Sequence, residues 1–376
     1  QLKRAKTKLY LHIANWKHPV FRTMRILSLI VSMVTIAAII IYHGCYLRAS
    51  VISLIRGLVY FSLAFYIAKY FVLMFYSLHK IEYVKKSWFE CIIIAVLLLH
   101  FILYWFFGWD LFNFKQYENA YILCIQLYFF IIMLIELSKV STFIGKMNLS
   151  PPVLLMSSFF ILIVLGTILL VLPRMTTHPI SFTDALFTAT SASCVTGLTV
   201  LSTAHDFTLQ GQVVIMILVQ LGGMSILSFA TFFTTFLSRS YVGLRYQYMV
   251  RDMISANKLS DSFSLLRQII LFTFIIEASG VLMFYMYWRT TGFFDGMGTT
   301  FFYSLFHAVS AFNNAGFALW DSSFNDAQIA SSFFPQTIIM ILVFLGGIGF
   351  VTISEFFNPA VIRERKKYKW KQLSPG

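Results

Sequence analysis

The sequence predicts an all-α membrane protein, a polytopic helix bundle with two helix–loop–helix repeats, and three observations carry that prediction. The 376 residues are 59% hydrophobic, 18% aromatic and only 12% charged, with a mean hydropathy of +0.77. That composition excludes a soluble globular domain. Apolar runs able to cross about 30 Å of hydrocarbon, roughly 20 residues each, recur along the chain. Finally, the chain repeats itself. Residues 186–197 (LFTATSASCVTG) and 305–316 (LFHAVSAFNNAG) agree at six of twelve positions at an offset of 119, and 215–223 (IMILVQLGG) and 339–347 (IMILVFLGG) agree at eight of nine at an offset of 124. The loop between has absorbed five residues. Periodicity of this kind marks duplicated units, which in membranes are often arranged around a shared pathway.

Spans are predicted, in order, at 24–43, 51–78, 88–107, 119–138, 152–172, 210–237, 264–288 and 334–356. The first four form an N-terminal transmembrane region, 1–150. Pro151 and Pro152 open the fifth span and Pro173 follows it, consistent with proline's tolerance at a helix start and its inability to continue one. Segments 182–193 and 299–312 are too short to cross, so they are expected to dip into the membrane and return. The remainder then divides into a first helix–pore loop–helix unit, 151–262, and a second, 263–376, which includes a basic cytosolic tail.

Charge sets the orientation. With the amino terminus in the cytoplasm, 22 of the 29 Lys and Arg fall on the inner side, against Arg48, Lys115, Arg174 and Arg289 outside; Arg56, Lys69 and Arg267 lie within or near spans. This asymmetry predicts both termini inside. It also accounts for the formal net charge of +14 without nucleic acid, the basic loops facing anionic lipid or a cytosolic partner. Of the four cysteines, Cys45, Cys91 and Cys124 sit in or beside apolar spans without metal-ligand spacing and read as small buried hydrophobes. A cleavable signal peptide is not expected, since the first long apolar run follows a basic stretch with no clear small-residue cleavage pattern.

The repeated loops carry the chemistry. Asp184 lies near the start of the short helix 182–193, where a carboxylate complements the positive end of the helix dipole. The partly negative end then points towards Cys194, Val195, Thr196, Gly197 and Leu198. A cation in a low-dielectric slab must exchange its water shell for other oxygens, and backbone carbonyls supply them without adding a titrating group. Non-helical backbone at membrane depth is tolerated where it lines a cavity or is buried in protein. Gly197 and Gly316 occupy corresponding places, and glycine permits the conformations that turn consecutive carbonyls one way. The pairs Gly222–Gly223 and Gly346–Gly347, with Gly349, read instead as sites of close helix packing or bending.

These residues resemble the Trk/Ktr/HKT superfamily of potassium transporters. The stretch DALFTATSASCVTGLTV, residues 184–200, is similar to the first pore loop of Ktr-type subunits, and HAVSAFNNAGFAL, residues 307–319, to the second; the resemblance covers about 152–360. It implies four such units around a pseudo-fourfold axis, each contributing a single-Gly filter strand, so that two units make half of a potassium-channel-like pore. It further implies K+ as the permeating ion, with sodium coupling left open, a homodimer, and a cytosolic nucleotide-binding regulatory subunit. Gly197 stands where sodium-preferring relatives often carry serine. The filter residues are then Cys194 to Leu198 and Asn313, Asn314, Ala315, Gly316 and Phe317, with Asp184 supporting the pore helix, and no organic cofactor is expected.

The sequence departs from that pattern in places. It ends just beyond the second unit, so either it is part of a longer chain or two copies join to make one pore. Cys194, Asn313 and Asn314 are unusual side chains for the filter stretch, but carbonyl coordination depends little on side-chain identity. The spacings of Arg48, Arg56 and Lys69, eight and thirteen, do not place a charge at every third position as a voltage sensor requires. Glu136 and Glu277 read as hydrogen-bond partners or helix-end charges, Glu277 lying deep in its span.

An enzyme is not indicated, because His205 beside Asp206 and His307 in the short helix have no nucleophile or metal constellation around them. The rival reading is a secondary transporter binding a small solute at broken helices. Its repeats would commonly be inverted, whereas both units here enter from the cytoplasm. Outer acids Asp206, Asp321 and Asp326 are candidates for concentrating cations, and inner residues 239–258 and the tail for contact with a regulator.

Overall fold

The computed structural model describes residues 2–77, 82, 83, 85, 88, 151–224, 259–320 and 332–347. The predicted spans at 88–107 and 119–138 fall outside these apart from Trp88, as do Cys91, Cys124, Glu136, Asp321, Asp326, Gly349 and the basic residues 239–258. Every regular element among the described residues is an α-helix, with one isolated antiparallel bridge between Thr176 and Phe207. The chain divides into two units, Gln1–Val140 and Ser141–Gly376.

In the first unit, helix α1 (Leu2–Gly44) precedes α2 (Ala49–Tyr76). Apolar periodicity places the start of the first span at 24, but the helix begins at Leu2. Its basic opening is rich in Lys, Arg, Ala and Leu, which favour helix without contributing to a hydrophobic span. The portion long and apolar enough to cross a membrane runs from Pro19 to Gly44, and Pro19 lies inside the helix. The hydroxyl of Thr23 donates to the Pro19 carbonyl at 2.9 Å.

A seam of hydroxyls joins α1 to α2. Tyr66 donates to the Ser28 carbonyl at 2.8 Å and meets the Ser32 hydroxyl, while Thr35 and Ser62 lie 2.6 Å apart. All four hydroxyl residues are buried. Lipid offers apolar helices no hydrophobic reason to pair, so small residues and interhelical hydrogen bonds provide it. Lys69 is buried, its Nζ 5.2 Å from the centre of the Tyr66 ring, whereas Arg56 is exposed. The two basic groups therefore have different surroundings, unlike a charged stripe.

The second unit contains α3 (Pro151–Leu170), α4 (Phe182–Ser193), α5 (Leu209–Gly223), α6 (Leu259–Thr291), α7 (Met297–Phe312) and α8 (Phe333–Gly347). Their lengths are 20, 12 and 15 residues in the first set and 33, 16 and 15 in the second. The packing repeats as faithfully as the order. A Cβ on Gly166 would meet Leu218 at 2.7 Å and the Ala189 methyl at 3.3 Å; a Cβ on Gly280 would meet Leu342 at 2.8 Å and the Ala308 methyl at 3.4 Å. Each of these residues has its counterpart in the other set, so the first helix of each set rests against the same positions of the second and third. The apolar core runs through both sets, joining Ala189, Ile215 and Leu218 to Phe306, Val309 and Phe317.

Candidate functional site

Helix α4 begins where its sequence asks it to. Ser181 is the N-cap; its hydroxyl accepts from the Asp184 amide at 3.1 Å and donates to Asp184 Oδ2 at 2.7 Å. The cap satisfies one of the amides left open at the helix start, and the same contact holds the Asp184 carboxylate at the positive end of the helix.

The other end of α4 and the corresponding end of α7 unwind in the same way. Cys194 and Asn313 are the C-caps, and the amides that follow fold back onto the last turn. Thr196 donates to the Ser191 carbonyl at 2.8 Å, and Ala315 to the Ser310 carbonyl at 2.8 Å. Val195 has φ 56° and Asn314 φ 58°; Gly197 has φ 75° and Gly316 φ 74°. Thr196 and Ala315, between them, are not left-handed, so the backbone alternates in hand along both stretches. Asparagine tolerates the left-handed region, but a β-branched valine there is a genuine outlier. Such strain persists only where its surroundings over-determine it, and it clusters at functional sites.

The two stretches also meet. A Cβ on Gly197 would stand 2.5 Å from the Ala315 carbonyl oxygen and 3.2 Å from the Gly316 Cα, and one on Gly316 would stand 3.3 Å from the Gly197 Cα. Glycine is required at 197 both by its φ and by the backbone opposite. Of the ten residues expected at the filter, Cys194, Thr196, Leu198, Asn314 and Gly316 are exposed; Asn313, Ala315 and Phe317 are buried; Val195 and Gly197 are intermediate. The Phe317 carbonyl accepts from the buried Ser310 hydroxyl at 2.6 Å, which directs it towards α7. The hydroxyl of Ser191, the counterpart of Ser310, is buried without a hydrogen-bond partner.

Glycine pairs brace these ends from behind. A Cβ on Gly222 would fall on the carbonyl of Ser193, the last residue of α4; one on Gly346 would fall on the carbonyl of Phe312, the last residue of α7. Close packing is thus what Gly222 and Gly346 provide. Gly223 instead leaves room for the side chain of Asn313. That side chain, which the sequence offered only as a filter residue, donates to Glu277 Oε1 at 3.1 Å and to Gln220 Oε1 at 3.1 Å. Glu277, 4% exposed within α6, is a hydrogen-bond partner as its position suggested. Gln220 was not singled out by sequence, although it is the one position at which 215–223 departs from 339–347, where Phe344 stands in its place.

His307 is fully buried and fully used. Its Nδ1 lies 2.7 Å from the Tyr303 carbonyl, and Nε2 accepts from the Leu319 amide at 3.1 Å. A ring nitrogen facing a carbonyl must donate, so these partners require the Nδ1–H tautomer. Trp320 stacks on the ring, centroids 3.8 Å apart. Asp206, a candidate either for concentrating cations or for an ordinary solvated loop, ties its own loop together: Oδ2 accepts from the Ser202 amide at 2.6 Å, and Oδ1 lies 3.8 Å from His178 Nε2. No cluster of three or more His, Cys, Asp or Glu among the described residues is arranged to hold a metal.

Comparison with known proteins bears on the same stretch. The sequence profile of a family described as TrkH, cation transport protein, matches residues 124–374. The chain is 38% identical over 207 residues to the Ktr system potassium uptake protein B of Bacillus subtilis, covering 54% of this chain and 44% of the relative. It is 35% identical over 212 residues to the protein of that name in Vibrio alginolyticus, covering 55% and 44%. It is 34% identical over 212 residues to the potassium/sodium uptake protein NtpJ of Enterococcus hirae, covering 55% and 45%. Each match spans less than half of the relative's own length.

Proposed function

The chain belongs to the TrkH family of cation transport proteins, and on that premise we propose that it carries K+ inward across the cell membrane between two carbonyl-lined stretches, 194–198 and 313–317. The observation that carries the reading is the duplicated alternation of backbone hand, left-handed at Val195 and Gly197 and again at Asn314 and Gly316, with the two glycines in contact. Carbonyls presented from such backbone replace the hydration shell of a monovalent cation without introducing a fixed charge. The C-terminal ends of α4 and α7 add the negative side of their dipoles, and Asp184 with its Ser181 cap holds the start of α4.

The names of the relatives support potassium as cargo, and one of them names sodium as well. Residues 151–262 and 263–376 are two of the repeats of a radial pore, and residues 1–150 are an additional helical region. Both termini face the cytoplasm. A homodimer regulated by a cytosolic nucleotide-binding subunit follows from the resemblance.

Growth at low K+ tests the reading. The full-length protein should rescue a strain lacking its own potassium uptake, and Gly197→Ser should lower the preference for K+ over Na+. Unchanged rescue and unchanged preference in that variant would overturn the filter assignment. Saturable uptake of an organic solute would favour an alternating-access carrier instead.

A further inference from the structure

The two stretches are not held alike. In the first, the position matching Asn313 is Cys194, which is exposed. In the second, Asn313 reaches back into a buried polar cluster drawn from three helices. Glu277 Oε2 accepts from Gln220 Nε2 at 3.1 Å and Oε1 from Asn313 Nδ2 at 3.1 Å; Asn313 Nδ2 also faces Gln220 Oε1 at 3.1 Å and the Val309 carbonyl at 2.9 Å. Both amides thus turn their NH2 groups towards the Glu277 carboxyl group, one to each of its oxygens.

Its placement gives it a role. Gln220 lies on α5, in the first helical set, whereas Glu277 lies on α6 and Asn313 caps α7, in the second. Asn313 directly precedes Asn314, whose left-handed φ starts the unwound stretch. The counterparts of Glu277 and Gln220 by the packing correspondence described above are Ile163 and Phe344, so the cluster has no duplicate. Resting on the functional reading above, we infer that Gln220, Glu277 and Asn313 are a clasp that sets the second carbonyl-lined stretch against the first, and that Glu277 and Gln220 are positioning residues for discrimination between K+ and Na+ although neither touches the ion.

Ion uptake by the full-length protein tests this, with K+ and Na+ each titrated and the amount of protein in the membrane measured. Glu277→Gln presents an NH2 group where Gln220 donates, leaving buried groups mispaired. We expect the KM for K+ to rise about fivefold and the K+/Na+ preference to fall about fivefold, effects of the size that a mispaired buried hydrogen bond produces. The swap Glu277→Gln with Gln220→Glu returns the carboxylate to the cluster from the other helix and should restore most of the preference.

A merely structural role would instead lower maximal uptake of both ions equally, leaving KM and preference intact, and that result overturns the inference. If Glu277→Gln does not reach the membrane, Gln220→Met, similar in volume but unable to hydrogen-bond as an amide does, is read in its place; an unchanged preference there also overturns it. Gly197→Ser separates the two levels. A preference altered by Gly197→Ser but not by the clasp variants refutes the clasp alone, whereas no change in any of them refutes the ion path on which it rests.

Discussion

Val195 and Asn314 share one backbone conformation, φ 56° and 58°, although one side chain resists it and the other accepts it. Both residues follow a helix C-cap and precede by two positions a glycine that is also left-handed. The first stretch thus holds strain that the second does not, and the difference can be measured.

Val195→Asn should stabilise the protein. Asparagine is enriched in the left-handed region, and relieving such strain is worth on the order of 1 kcal/mol. Thermal unfolding in detergent should show a higher midpoint than wild type, and an unchanged or lower midpoint would argue that packing of the Val195 side chain outweighs its backbone cost.

Alanine at Gly197 should be damaging. The new methyl combines a disfavoured φ with overlap at 2.5 Å on the Ala315 carbonyl oxygen, which is backbone and cannot rotate aside. Potassium uptake should fall by about tenfold or more, as for a buried overlap of about 1–3 kcal/mol acting on the path itself. Gly316→Ala meets its nearest neighbour only at 3.3 Å, so it should cost less; equal losses in the two variants would contradict the asymmetric contact.

Gly222→Ala and Gly57→Ala make a matched pair. The former would press a methyl onto the Ser193 carbonyl, while a Cβ at Gly57 meets nothing within 4 Å. Overpacking should destabilise the first by about 1–3 kcal/mol, whereas replacing a helical glycine by alanine in open space should stabilise the second by up to about 1 kcal/mol. Unfolding midpoints moving in opposite directions are the expected outcome.

His307→Phe should lower stability by about 1–3 kcal/mol, the cost of leaving a buried donor or acceptor unpaired. The phenyl ring keeps the stack on Trp320 but abandons the Leu319 amide. His307→Gln retains a hydrogen-bonding side chain and should be milder, and equal losses would assign the effect to ring packing alone.

Much of this arrangement could be read from residues alone, and the reason is locality. The short helix expected at 182–193 spans Phe182–Ser193, and the one expected at 299–312 spans Met297–Phe312, because length and apolar boundaries are properties of a continuous segment. Gly222 and Gly346 were legible as packing sites because they recur. Three features were not legible. The left-handed φ of Val195 contradicts its own preference and is imposed by its surroundings. The Gln220, Glu277 and Asn313 cluster brings together residues 57, 36 and 93 positions apart, and no single window contains it. The engagement of Asp206 with the Ser202 amide belongs to a loop whose folding depends on contacts that charge alone does not encode.

The adjoining glycines at the end of α5 carry a consequence for how such a protein can change. Gly222 abuts the carbonyl that closes α4, and its neighbour Gly223 abuts the side chain that follows α7, so adjacent codons govern the clearance of both halves. A single short piece of α5 thus limits how far either stretch can shift without the helix itself moving.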